Sequence, residues 1–364
     1  MNVLASCSAV VLLVLVGALA GRVEAGRALL GLAVPYAALA IFLCGVCYRV
    51  LRWAWTPVPF RIPTTCGQEK SLPWIRRNRL DNPFTFWETV GRMGLEVLTF
   101  RSLFRNNRAR LYDGRLVVGE NKYLWLGSMA FHWALLIVLL RHLRLLVEPV
   151  PAFVLRLQSI DGFFQITTPD LYATDVILIA ALVYLLVRRL RDPLVRYVSL
   201  FTDYFALFLL LGIAITGVLM RYVLRADITG VKQFAIGLAT FHPTATAALG
   251  PVVLVHLLLV AALAAYFPFS KLMHMGGMFL SSTRNLANNN RAVRYVNAWN
   301  YPVKTHSYAE WEEEFHDKIV AAGLPLDAEP ELIHTEARRA LRFNDQRNSV
   351  SGACAERSRR VSPW

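Results

Sequence analysis

The chain lacks most of the marks of a soluble enzyme. No glycine-rich nucleotide motif follows a strand-like run, so a dinucleotide or P-loop enzyme is not indicated. The five cysteines in 364 residues make no disulfide framework. They make no four-cysteine cluster either, so no iron–sulfur cluster is expected in this chain. Cys44 and Cys47 form a C-x-x-C with no histidine after it. That rules out the covalent haem attachment motif and leaves two small thiols packing in a membrane helix. Acidic residues are few, 25 against 39 Lys and Arg. Paired intramembrane carboxylates and inverted repeats, the usual support for a transporter, are not visible. Met1–Val16 holds no Lys or Arg. A signal peptide would need that basic start, although Ala18-Leu19-Ala20 resembles a cleavage site.

What the chain has is apolar sequence in blocks. It is 55% hydrophobic, with a mean hydropathy of +0.41, which is rare for a soluble protein of this length. Runs near residues 3–20, 33–51, 124–147, 171–190, 200–222 and 249–270 are each about long enough to cross a core of ~30 Å. The expected fold is an all-α integral membrane protein of about six transmembrane helices. The first run is short and the fourth carries Asp175.

The net charge of +14 could suggest nucleic acid, but its distribution argues for topology. Segment 52–122 holds 13 Lys and Arg, the tail 276–364 holds 12, and the connection 188–199 adds Arg188, Arg189, Arg191 and Arg196. The three opposite connections together hold 8. Basic residues mark the cytoplasmic side, so both termini are expected there. Attraction to anionic lipid is a secondary effect.

Residues 1–51 read as a transmembrane hairpin with an outer turn at Arg22–Arg27, and 52–122 as a cytoplasmic basic insertion. Pro57, Pro59 and Pro63 open the insertion and stop the preceding helix. Asn82-Pro83 looks like a helix start. Phe86, Val90, Met93, Val97, Phe100 and Phe104 then recur at helical steps. This stripe lies in the membrane interface or docks a cytoplasmic partner. Residues 123–280 hold the last four spans, 281–334 form a cytoplasmic, partner-facing tail, and 335–364 read as disordered. A capping box from Ser307 to Glu310 announces a short amphipathic helix.

Four histidines dominate the functional reading. His132 and His142 lie ten residues apart in one run; His256 and His274 lie eighteen apart in another. One membrane histidine is as often a hydrogen-bonded packing residue as a ligand. Four at defined depths shift that balance, because polar groups in lipid are costly. Eighteen residues are about five helical turns and ten are nearly three, so each pair lies broadly on one side of its helix. The two helices run oppositely, which pairs His132 with His274 and His142 with His256 by depth. The rises differ, roughly 15 Å against 27 Å, and a bend near Pro268 must absorb the difference. Zinc takes three or four ligands at one point. Two imidazoles per level instead suit the axial ligands of two haems b. The remaining histidines, His242, His306, His316 and His334, read as solvent-facing. Arg141, Arg144 and Lys271 are candidate counter-charges for propionates, or ordinary snorkelling cations.

Tyr266-Phe-Pro-Phe-Ser-Lys-Leu-Met-His274, with His256 eighteen residues earlier, resembles the respiratory nitrate reductase gamma subunit family over roughly 123–280. Phe60-Arg-Ile-Pro-Thr-Thr-Cys-Gly-Gln68, Ser71-Leu-Pro-Trp74 and Phe100-Arg-Ser-Leu-Phe-Arg105 resemble more narrowly the M subunits of the dissimilatory sulfite-reduction-associated electron transfer complex (DsrM type). The resemblance implies a four-helix di-haem cytochrome b core behind an N-terminal hairpin, binding two haems b and exchanging electrons with menaquinol or menaquinone. It also implies a bacterial or archaeal cytoplasmic (inner) membrane and other subunits of one complex. Among them would be a cytoplasmic iron–sulfur K subunit resembling heterodisulfide reductase, serving reduction of sulfur carried by the small DsrC protein. By family analogy the quinone lies on the outer side near His142. Arg156, Asp161 and Gln165 are candidates there, and a solvated loop explains them equally well. The alternatives are a gamma-type cytochrome b of a nitrate or heterodisulfide reductase, and a haem-free anchor or transporter.

Overall fold

The structure is a computed structural model that describes residues 2–55, 70, 74, 76–105, 108–119, 121–162, 169–243, 249–281, 285–289, 293 and 306–327. Among the described residues the regular structure is helical apart from one hairpin, as the hydrophobic runs require. Five helices are long and apolar enough to cross a membrane. They are α1 (Asn2–Ala20), α2 (Glu24–Ala54), α4 (Lys122–Leu146), α7 (Phe201–Val223) and α9 (Pro251–Phe269). Between them come α3 (Phe86–Thr99), α5 (Ala152–Asp161), α6 (Ala173–Arg191) and α8 (Ile228–Ala239). The remaining expected span is α6. Its 19 residues rise about 28 Å, but Asp175 sits in its first turn and Arg188, Arg189 and Arg191 in its last.

The six long helices alternate in direction. One end of the bundle gathers the starts of α1, α4 and α7 with the ends of α2, α6 and α9. There the Ser6 hydroxyl donates to Phe201 O at 2.9 Å, and Lys271 pairs with Asp203 at 2.8 Å. The opposite end gathers α5, α8, Arg141, Asp175 and Tyr222. The α1–α2 turn is tighter than the expected Arg22–Arg27, because helix resumes at Glu24.

Packing relies on small residues, as it must where lipid offers helices no hydrophobic drive to associate. A side chain on Gly127 would begin 2.4 Å from the Tyr184 ring, and one on Gly45 2.7 Å from Pro268. Gly17 lets α1 approach Leu258 of α9. Val10, Leu209, Val255 and Leu259 then join α1, α7 and α9, while Ala134, Leu178 and Leu182 join α4 and α6. The expected packing of the two thiols in α2 is not found; Cys44 and Cys47 are free and exposed. Two π-turns interrupt the long helices, at Leu29–Ala33 and Leu219–Val223. The first precedes Pro35, which has no N–H for the carbonyl four residues back.

The helix of the insertion starts later than Asn82-Pro83 suggests. Thr85 caps α3 by accepting from Glu88 N, and the Glu88 side chain accepts from Thr85 N in return. A hairpin follows, β1 (Arg108–Tyr112) antiparallel to β2 (Arg115–Gly119), with Tyr112 opposite Arg115. Asp113 and Gly114 turn it at φ 49° and 70°, the pattern of a two-residue primed turn.

Residues 298–364 form a second compact unit. Its described part is α10 (Tyr308–Ala321), which carries the capping box of Ser307 and Glu310 that the sequence announces.

Candidate functional site

The four histidines fall into two pairs at two levels. His132 lies at the end of the third turn of α4 and meets His274, which follows α9. Their ring centres are 6.0 Å apart and their planes are 87° from each other. At the other level His142, near the end of α4, acts electrostatically on His256 of α9. The structure thus brings His132 into ring contact with His274 and sets His142 within electrostatic reach of His256.

Helix geometry alone would not produce it. The continuous helix that the eighteen-residue count assumes does not exist. Pro268 ends the α-helical ladder at Tyr266, Phe267–Phe269 tighten into a 3₁₀ turn, and Ser270 is extended at φ −110°, ψ 175°. Lys271–Met273 form a second 3₁₀ turn, and His274 begins a new short helix. From His256 to Tyr266 is ten residues of helix, the same count as from His132 to His142. The chain then turns a corner, which removes the mismatch in rise.

Every ring is held by one nitrogen. His132 Nδ1 bonds Ser128 O at 2.8 Å, His142 Nδ1 bonds Val138 O at 2.7 Å, and His274 Nδ1 bonds Lys271 O at 2.9 Å. His256 Nδ1 meets Thr216 Oγ1 at 2.8 Å. That hydroxyl is within donating reach of Gly212 O at 2.8 Å and Ile213 O at 3.0 Å. Its own proton is therefore committed to the backbone, and it accepts from the imidazole. A carbonyl can only accept, so Nδ1 is the protonated nitrogen of His132, His142 and His274 and the Nε2 lone pair is free for a metal; the hydroxyl beside His256 is compatible with the same tautomer.

The spacing fits an iron between the inner pair. Two metal–nitrogen bonds of ~2 Å and about 1 Å from each nitrogen to its ring centre give roughly 6 Å. A direct hydrogen bond between the two rings would bring the centres to about 5 Å by the same arithmetic. Among the described residues no three His, Cys, Asp or Glu side chains converge, so each level offers two imidazoles and nothing more.

His132 is closed in by aromatic rings. Phe131 and Phe100 stand edge-on at 4.8 and 4.9 Å. Phe100 comes from the insertion and takes a left-handed conformation at φ 48°. Two indoles hold that segment in place. Trp125 Nε1 donates to Thr99 O at 2.6 Å and Trp133 Nε1 to Leu98 O at 3.2 Å. The sequence shows the apolar stripe but not that its end folds onto the inner histidine.

The outer level contains a charge cluster that the sequence hides. Arg141 is buried between two carboxylates, contacting Asp175 through Nη2 and Asp161 through Nε at 3.2 Å. Its guanidinium lies 3.9 Å over the Tyr172 ring, and Arg221 lies 4.0 Å from the same ring. Tyr222 donates to Asp175 at 2.8 Å, while Asp161 accepts from Thr174 N and Oγ1 at 2.9 and 2.6 Å. Asp161 of α5 and Asp175 of α6 are thus bridged by one arginine. Arg141 is neither a snorkelling cation nor a free counter-charge. Lys271, bonded to Asp203, is not free either. Of the quinone candidates, Asp161 belongs to this cluster, Arg156 is exposed on α5, and Gln165 lies outside the described residues.

The family model of the nitrate reductase gamma subunit matches residues 104–294. A protein of Archaeoglobus fulgidus named Hdr-like menaquinol oxidoreductase cytochrome b-like subunit is 47% identical over 276 residues, 74% of this chain and 82% of that protein. A protein of the same name from Archaeoglobus profundus is 40% identical over 275 residues, 73% of this chain and 81% of its own length.

Proposed function

The chain belongs to the nitrate reductase gamma subunit family, and from that premise we propose that it is a di-haem cytochrome b passing electrons between menaquinol and a cytoplasmic iron–sulfur partner. The observation that carries this reading is the inner pair, two imidazoles whose centres stand 6.0 Å apart with both Nδ1 atoms already bonded. His132 and His274 would hold one haem b, His142 and His256 the other. A bound haem supplies one-electron transfer at its iron.

The chain's own residues do the rest. Ser128, Val138, Thr216 and Lys271 orient the four rings. Phe100 and Phe131 pack edge-on against His132 at the inner level. The cluster of Arg141, Asp161 and Asp175 fixes the start of α6 beside the outer ligand. We assign quinone exchange to the outer level, where Arg156 is exposed and close in sequence to Asp161 and Gln165. The names of the relatives, subunits of a menaquinol oxidoreductase, support a multisubunit complex. The motifs at Phe60–Gln68 and Phe100–Arg105 favour the DsrM type, with a K-like iron–sulfur subunit and sulfur on a DsrC-like carrier. The asymmetry of Lys and Arg orients both termini toward the cytoplasm of the inner membrane.

Pyridine hemochrome quantitation of purified protein should give two haems b per chain. His142→Ala and His256→Ala should remove the same redox component, and His132→Ala and His274→Ala the other. One haem or none in the parent protein, or separate losses within a pair, defeats the assignment; absence of any b-type band leaves a haem-free anchor.

A further inference from the structure

Helix α3 is amphipathic in the reverse sense for a helix bathed in water. Its polar residues Thr89, Arg92 and Glu96 are buried, whereas Phe86 and Trp87 are 69% and 76% exposed, and Val90, Val97 and Leu98 are exposed beside them. The inward side is tied down by polar contacts. Arg77 bonds Glu88, Arg101 bonds Asp81 at 2.5 Å, and the Ser102 amide donates to Glu96 at 3.0 Å. Such a helix gains nothing by facing solvent with its apolar side.

Its attachment says what that side faces. The last carbonyls of α3 accept from Trp125 and Trp133, and Phe104 packs edge-on against Trp125 at 4.9 Å. Both indoles belong to α4, a membrane span that begins at Lys122. A 25-residue helix is about 37 Å long, more than the ~30 Å hydrocarbon core. Its first turn, with Trp125, therefore lies in the headgroup layer and holds the end of α3 there through Thr99, while Trp133, two turns further in, reaches Leu98 from the core side. Beside the apolar face opens a concavity of about 790 Å³, lined by Arg76, Arg77, Arg79, Trp87 and Glu88. Arg77 is committed to Glu88, while Arg76 and Arg79 are exposed.

We propose that α3 is a membrane-surface helix, with Phe86, Trp87, Val90, Val97 and Leu98 directed into lipid and with Arg76 and Arg79 gripping the phosphate of an anionic phospholipid over Trp87. Apolar side chains next to arginines are what an anionic lipid surface recognises. The Trp ring supplies the amphipathic body that sits at headgroup level. This assignment does not depend on haem.

The test uses the full chain in nanodiscs, with native cysteines replaced by serine and a nitroxide at Val90→Cys. Collision with oxygen should exceed collision with a water-soluble nickel chelate, the reverse of a label at Glu314→Cys. Equal nickel access at the two positions overturns the proposal. So does shielding of the Val90 label from both reagents that ends when other subunits are removed, which would mean a protein covers the face. Delipidated protein should rebind phosphatidylglycerol, and the double variant Arg76→Gln/Arg79→Gln should bind it roughly thirty-fold more weakly, from two arginines near an anionic surface. Unchanged affinity of the double variant removes the phosphate site.

Discussion

Replacing Thr216 by valine would remove one atom of consequence. Valine keeps the shape, so packing at the buried position changes little, but His256 Nδ1–H loses the oxygen 2.8 Å away. A net hydrogen bond is worth about 1 kcal/mol, and the Ile213 carbonyl remains beside His256 as a second acceptor, so the loss is of that order. The bond also strengthens the imidazole as a ligand, which favours oxidised over reduced iron. If about 1 kcal/mol of that preference is lost, the midpoint of the proposed outer haem should rise by about 40 mV, since 59 mV corresponds to a tenfold change for one electron. Potentiometric titration of the b-type band, in parent and variant, reads this directly. Thr216→Ser retains the acceptor and should behave as the parent. The reasoning fails if Thr216→Val leaves both midpoints in place at full haem content. It also fails if the shift appears in the component that His132→Ala removes.

Gly127→Leu should prevent α4 and α6 from closing, because its first side-chain atom would lie 2.4 Å from Tyr184 Cε1; overpacking of this kind costs about 1–3 kcal/mol, and Tyr184→Ala should recover the lost yield of folded protein. Arg141→Met strands two buried carboxylates, a change worth about 3–5 kcal/mol, so thermal unfolding in detergent should begin well below that of the parent, and Asp161→Asn with Asp175→Asn should restore part of the loss. The bond from Arg101 holds the Asp81 carboxyl below its ordinary value of 3.8, with further help from the charges of Arg101 and Arg105. A depressed carboxylate stabilises the fold above its unfolded pKa and loses that contribution as pH falls through the folded one. Amide protection of 86–99 should therefore be steady from pH 7 to about 5 and fall below about 4; constant protection down to pH 3 contradicts the ion pair.

The sequence made the histidines legible because a polar ring in lipid demands a reason, and the bend at Pro268 legible because proline cannot continue a helix. Other features are local signals in the sequence. Thr85-x-x-Glu88 is a capping box, and it starts the helix three residues beyond Asn82. Asp113-Gly114 is a hairpin turn, hidden because Arg108 and Arg110 break the apolar alternation expected of a strand. The stripe on α3 was visible as a period. Periodicity identifies a face, however, and cannot say whether that face looks inward or outward; here the polar side is the one buried. The Arg141 cluster was out of reach. Its carboxylates come from α5 and α6, and only the three-dimensional turn after α4 brings them to one guanidinium.

The corner between Tyr266 and His274 bears on how such a site could be built anew. An engineer copying the eighteen-residue interval onto one straight helix would set the two imidazoles about 27 Å apart along the axis. The facing helix, with an interval of ten, would offer its own pair at about 15 Å, and one level would always miss. The interval works because only its first ten residues travel along the bundle; the other eight carry the ring sideways to its mate. The quantity to transplant is the path of the backbone from Phe267 to Met273, with Gly45 left bare to admit Pro268, rather than the count between the histidines.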